Sequence, residues 1–355
     1  MEAVGDIPAG PAEPGSLRHP SVSGLPSDPG APDRAAPVGS GSAPAPGRSR
    51  PVGRLDPDRC SVQALLRGDS PTATAPPARR WLLIEQPGPW GRDALLESRF
   101  DQHVASRLAR RARELDLRIQ LVRRPGGRLS DSGRRWAVAD TSPGTTTVWW
   151  STRTTDAELL DLPWDGTAGT PSQAPTYLVC THGAHDTCCA VRGRPLAQSL
   201  PADPGDVWET SHLGGDRFAA NVLVLPHGHL YGQVSGNGEE LVYAADRQQV
   251  VLPWLRGRAG LSAPAQAAQH HARAELGLLG VADLPPRGGR PLATPGPGVE
   301  RWAVTLAGPD GDVVVTVESR LSDQACRLTC TAAQPGHWRI WHPLDLRIAQ
   351  PAAPA

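Results

Sequence analysis

The sequence contains no lysine. Its 36 basic residues are all arginine, and 36 acidic residues bring the formal net charge to zero. The missing lysine reads as codon usage, not as chemistry. The neutral balance removes the electrostatic case for nucleic acid or an anionic membrane surface as a partner. Local pairs such as Arg110-Arg111 and Arg123-Arg124 read as solvated faces. No apolar run approaches the ~20 residues that span a bilayer. Residues 1–10 also lack the basic segment and apolar core of a secretory signal. A cytoplasmic protein is therefore expected. Cysteine is scarce as well: six in 355 residues are too few for a disulfide scaffold, and clustered cytosolic cysteines more often bind metal or do redox work.

The length suggests roughly two domains plus tails. Residues 1–54 are dominated by Pro, Gly, Ala and Ser, cannot bury enough apolar surface to offset ordering, and read as a disordered arm. Order begins near Cys60, with a short helix over 62–66 and a buried strand over 81–85. Residues 86–91 form a Pro/Gly loop. Apolar positions Leu96, Phe100, Val104, Leu108 and Leu115 predict an amphipathic helix. Leu117, Ile119 and Leu121 alternate as a strand does, and two more strands follow at 136–139 and 146–150. The second half repeats this order: a strand at 176–179, a loop at 180–189, a helix starting near Pro195 and a strand at 207–210. A hairpin across 226–229 follows, joining strands at 218–225 and 230–234, and a closing helix covers 239–249. Strand–loop–helix–strand–strand–strand is the order of a thioredoxin-like unit. The expected architecture is α/β, with two thioredoxin-like halves at 55–165 and 170–255. A small α+β extension occupies 262–347, with a helix over 264–276 and a hairpin at Asp310-Gly311.

The chemistry concentrates after the first strand of the second half. Cys180, His182, His185, Cys188 and Cys189 are the densest Cys/His group in the chain. Ligands in α/β folds usually sit at such strand ends, and Gly183 lets the loop wrap a metal. A second feature is Ser211-His-Leu-Gly-Gly-Asp-Arg-Phe218, where His212 and Asp216 flank two glycines.

These residues carry a family resemblance. Cys-x-His-Gly-x-x-Asp-x-x-Cys at 180–189, followed by Thr-Ser-His-x-Gly-Gly and Arg-Phe-Ala-x-Asn at 210–221, resembles the sucrase/ferredoxin-like family of thioredoxin-fold ferredoxins. The likeness covers roughly residues 60–251 and is strongest over 177–234. It implies a [2Fe–2S] cluster with Cys180 and Cys189 on one iron and His212 on the other. The family's second histidine position falls on Asp216. The fourth ligand is therefore Asp216, His185, Cys188 or another cysteine. The implied function is electron transfer to a redox partner protein, as a carrier more than an enzyme. No motif-placed carboxylate pair argues for a glycosidase.

Other readings compete. Cys180 and Cys189 can be buried structural thiols. A structural zinc or interaction module is open to the same donors. Thiol–disulfide exchange lacks its Cys-x-x-Cys motif. His182 reads as a loop hydrogen-bonder. His227 and His229 read as exposed turn residues. Cys60 reads as an isolated core residue, Cys188 as a bystander, and Cys326 and Cys330 as structural cysteines.

Overall fold

A computed structural model describes residues 56–127, 133–142, 144 and 146–349. The arm at 1–54 lies outside the described residues. The chain is mixed α/β. It opens with α1 (Cys60–Arg67), β1 (Arg80–Glu85), α2 (Gln102–Glu114), β2 (Leu117–Arg123), β3 (Arg134–Asp140), β4 (Thr147–Arg153) and β5 (Thr170–Ser172). Then come β6 (Thr176–Cys180), α3 (Thr187–Ser199), β7 (Val207–Thr210), β8 (Val222–Leu225), β9 (His229–Tyr231), α4 (Glu239–Asp246) and β10 (Leu255–Arg258). These ten strands form one sheet in the order β10-β9-β8-β6-β7-β2-β1-β3-β4-β5.

That order is symmetric about the β7–β2 seam. In the first half β1 runs parallel to β2 and antiparallel to β3. In the second, β6 runs parallel to β7 and antiparallel to β8. The seam is antiparallel and short, pairing Val122 with Thr210 and Arg123 with Glu209. Alternate side chains go to opposite faces of each strand. Leu82 and Ile84 pack with Val104 and Leu108 of α2. Tyr177 and Val179 pack with Leu196 and Ala197 of α3. The other face is shared: Trp81 and Leu83 from the first half cluster with Leu178, Cys180, Trp208 and Leu223 from the second. Fully burying each such large apolar side chain contributes about 1.5–3 kcal/mol.

A second, four-stranded antiparallel sheet is built from β11 (Pro286–Leu292), β12 (Glu300–Gly308), β13 (Gly311–Leu321) and β14 (Arg339–Ala349). Helix α5 (Ala263–Leu276) buries its alanine face on it. Between β13 and β14 the chain folds back on itself, and Cys326 and Gly336 exchange both backbone hydrogen bonds at 2.9 Å. No helix among the described residues is long and apolar enough to cross a membrane.

Several local expectations differ from the structure. Helix α2 starts only after Asp101, whose carboxylate accepts the Val104 N–H at 2.9 Å. Leu96 and Phe100 therefore pack ahead of the helix, not within it. Arg123 is not on a solvated face, because it pairs with Glu209 at 2.8 Å beside the seam. Strands β11 and β14 were not expected, since Gly, Pro and Arg obscure their alternation; a register shift opposite β13 leaves Leu344 unpaired, next to Pro343.

His229 is not an exposed turn residue. It begins β9, between β8 and β10, and is 2 % exposed. Burial first, then the charges of Arg273 and Arg258, hold its imidazole well below the ordinary histidine range. The folded protein thus keeps His229 neutral, while the unfolded chain takes up a proton below about pH 6.5. This contribution to stability is full above that pH and is lost as pH falls toward the folded value, at about 1.4 kcal/mol per pH unit for one proton. Denaturant midpoints measured from pH 7.5 to 5 should fall less steeply in His229→Leu than in the wild type. Equal slopes would show that His229 is not the buried neutral group described.

Candidate metal centre

Cys180 is the last residue of β6, and its N–H donates to the Asn221 carbonyl of the neighbouring strand region at 2.9 Å. The next residues turn back tightly. His185 and Asp186 both donate their N–H groups to the His182 carbonyl. Asp186 then caps α3, its side chain accepting the Cys188 N–H at 2.8 Å. The helix therefore begins at Thr187, not near Pro195, and both Cys188 and Cys189 lie in its first turn. Gly193 is what lets α3 lie against β6: a Cβ there would stand 2.0 Å from the Cys180 carbonyl oxygen.

The second loop follows β7. Gly214 and Gly215 both take positive φ, at 92° and 73°, a conformation that favours glycine. Asp216 opens the short 3-10 turn Asp216–Phe218. Beneath the loop runs Arg256. Its guanidinium donates to the Gly214 carbonyl at 2.7 Å and to Asn221 Oδ1 at 2.8 Å, and Asn221 in turn donates to the Gly215 carbonyl at 3.0 Å.

The two loops bring four of the expected residues together. One donor atom each from Cys180, Cys189 and His212 falls within 4.8 Å of the others, and the same holds for His185, His212 and Asp216. Cys189 Sγ donates to Asp216 Oδ1 at 3.3 Å. His212 Nδ1 lies 3.1 Å from that same oxygen, yet it is buried and makes no hydrogen bond. The His185 ring stacks on His212 with centroids 3.6 Å apart. Cys180, Cys189 and Asp216 are all buried.

Each group perturbs the others. The Cys189 thiol donating toward Cys180 lowers the Cys180 pKa well below the ordinary thiol range, and His212 adds to this. Cys180 and burial together push the Cys189 thiol up. Burial alone would lower the His212 pKa, but Asp216 and Cys180 outweigh it and raise it to about 9. Burial would raise Asp216, and His212 more than offsets it. Two sulfurs, an imidazole and a carboxylate in such a pocket are a donor set for a thiolate-preferring metal centre.

His182 is not among these donors. Its Nδ1 accepts the His212 N–H at 3.2 Å, and its Nε2 lies 2.6 Å from the Gly91 carbonyl. Both bonds call for the neutral Nε2–H tautomer, and burial lowers the pKa accordingly. His182 thus ties the ligand loop to the first half. Cys188 is turned away from this centre. It meets Cys60 at 3.5 Å and Cys330 at 3.2 Å, so neither Cys60 nor Cys188 is isolated.

The comparison with known families now has a geometry to stand on. The sequence pattern of the sucrase/ferredoxin-like family matches residues 71–257. The chain belongs to the sucrase/ferredoxin-like family. No curated protein and no solved structure matches it. The family segment contains every residue of the Cys180–Asp216 centre, along with Asn221 and Arg256, but neither Cys60 nor Cys330.

Sequence reasoning included Asp186 in its motif without giving it a role, and it missed Arg256. Asp186 had a readable signal, an Asp directly before a helix start. Arg256 had none, because nothing local marks a guanidinium that reaches beneath a loop 40 residues away. The close packing of α3 yields a sign test. Gly→Ala normally favours a helix by about 1 kcal/mol. Gly193→Ala should instead lower unfolding stability, by about 1–3 kcal/mol, because the backbone must shift. Chemical denaturation measures this, and a neutral or stabilised variant would contradict the contact with Cys180.

Proposed function

We propose that this sucrase/ferredoxin-like protein is a one-electron carrier whose [2Fe–2S] cluster is held by Cys180, Cys189, His212 and Asp216. The observation that carries the reading is the convergence of two buried thiols, an unbonded buried imidazole nitrogen and a buried carboxylate at the ends of two loops. Asp216 is preferred over His185 as the fourth ligand because its Oδ1 touches both Cys189 and His212. We read the fold around it as one thioredoxin-like unit used twice, with ligands only in the second copy. The identical pairing sense of β1–β2–β3 and β6–β7–β8 supports this.

A cluster bound there supplies a one-electron couple, and imidazole in place of thiolate raises its potential. The protein's own residues set the rest. Asp216 returns a negative charge that a second histidine would not. Arg256, 2 % exposed under the loop, counters it with a buried cation. The His212 side chain is 22 % exposed and, with His185, faces a cleft of about 390 Å³ lined also by Arg92, Arg113 and Arg118. An imidazole open to solvent can couple a proton to the electron. Three arginines against one carboxylate, Asp93, among the cleft's lining residues suit an acidic redox partner protein. Free cysteines of this kind are suited to a reducing compartment, in keeping with a cytoplasmic location.

Purified protein should be brown, with visible absorption bleached by dithionite and a paramagnetic signal in the reduced state. Cys180→Ser and His212→Ala should lose both. A colourless protein carrying zinc at this centre would overturn the reading in favour of a structural module. The carboxylate yields a separate expectation, the sign of a potential change. Asp216→His should keep the cluster and raise its midpoint potential in protein-film voltammetry. An unchanged or lowered potential would remove Asp216 from the ligand set.

A further inference from the structure

The geometry points to a second metal site, a structural zinc ion bound by Cys60, Cys188 and Cys330 with Asp186 as the fourth ligand. The three sulfurs form a closed triangle: Cys60–Cys188 is 3.5 Å, Cys188–Cys330 is 3.2 Å and Cys330–Cys60 is 3.6 Å. Tetrahedral zinc with Zn–S bonds of about 2.3 Å holds its sulfurs about 3.8 Å apart. Each thiol needs only a small outward shift to admit the ion. A disulfide would instead close one edge to about 2.05 Å and strand the third sulfur.

Asp186 is the independent observation. It is 0 % exposed, and among the described residues no basic side chain lies within ion-pair distance of it. A buried carboxylate without a cation is costly. Its two oxygens stand 4.0 and 3.9 Å from Cys60 Sγ. Each accepts one backbone N–H, from Cys188 at 2.8 Å and from Cys330 at 2.6 Å. Each still has a lone pair for a metal. Four protein ligands and no open position describe a closed, structural site. Zinc binding releases one proton per thiol and involves no redox step.

The ion would fasten three remote segments: α1 through Cys60, the start of α3 through Asp186 and Cys188, and the turn between β13 and β14 through Cys330. Cys60 and Cys330 lie outside the family segment, so this staple would tie the flanking parts of the chain to Asp186 and Cys188 within it. The proposal does not rest on the cluster reading.

The test is metal analysis of full-length protein by mass spectrometry, with iron and zinc counted separately. Wild type should carry one zinc per chain. Cys60→Ser and Cys330→Ser should each lose that zinc while keeping the metal content and spectrum of the other centre. Cys180→Ser should do the reverse and retain the zinc. If the other centre binds no iron at all, the same contrast between variants still reports on this site. As a check that needs no variant, zinc-depleted wild type is titrated with Zn²⁺, and alkylation of Cys60 and Cys330 is followed by peptide mass. One equivalent should protect both thiols. Undiminished zinc in Cys60→Ser and Cys330→Ser, unprotected thiols, or a disulfide among the three in protein that takes up no zinc would overturn the proposal.

Discussion

The Asp186 carboxylate is the contact on which the arrangement of thiols depends. It caps α3 through the Cys188 N–H and reaches across to the Cys330 N–H. An N-cap of this kind contributes about 1 kcal/mol, but its positional effect is larger. By starting the helix at Thr187, it puts Cys188 and Cys189 on consecutive helical positions, about 100° apart around the axis. One sulfur then faces Asp216 and the other faces Cys60 and Cys330. Were the helix to begin at Pro195, both thiols would sit in a loop with no fixed division between the two groups. A vicinal cysteine pair, which suggests disulfide chemistry on paper, here sends its two sulfurs to two separate side-chain groups.

The second constraint is charge. In a chain without lysine, every fixed cation is a planar guanidinium, with five donors in a rigid fork. Arg256 uses this fully. It bonds Thr74 Oγ1 and the Thr74 carbonyl on one side, and the Gly214 carbonyl and Asn221 on the other. Burial lowers its pKa to about 9, so it stays cationic at neutral pH. An ammonium could supply the charge but not four bonds in one plane. Gly215 passes so close above that a Cβ would meet Arg256 NH2 at 2.5 Å. Gly215 is thus needed to admit a guanidinium from below, while a Cβ on Gly214 would meet nothing within 4 Å.

Much of this was legible in the sequence. Periodicity located β1, β2, β6 and α5 to within a residue or two, because their apolar patterns are set by the sheet faces they fill. Glycines and strand ends marked the two loops that turn sharply, but the choice of Cys180, Cys189, His212 and Asp216 within them came from the family resemblance. His229 was misread because Pro226 and Gly228 mark a turn, but only the sheet order shows that the strand leaving it is interior. The meeting of Cys60, Cys188 and Cys330 was not readable at all. Their separations of 128 and 142 residues carry no local pattern, and only tertiary packing closes the triangle.

The first half supplies none of the donor atoms of the Cys180–Asp216 group, yet it sets where they stand. Its Gly91 carbonyl fixes the His182 ring, and that ring fixes the His212 N–H. Its Arg118 donates to the His212 carbonyl at 2.9 Å. The β2–β7 seam is only two residue pairs long, so these side-chain contacts carry much of the registration between halves. His212 is held at both its backbone N–H and its carbonyl by groups linked to the first half, and its ring faces Asp216, with Nδ1 3.1 Å from Oδ1. A histidine fixed at its backbone has its ring oriented in advance, which would lower the reorganisation that binding a metal or a change of charge requires. On this argument the first half acts on the Cys180–Asp216 group by positioning the other half's histidine.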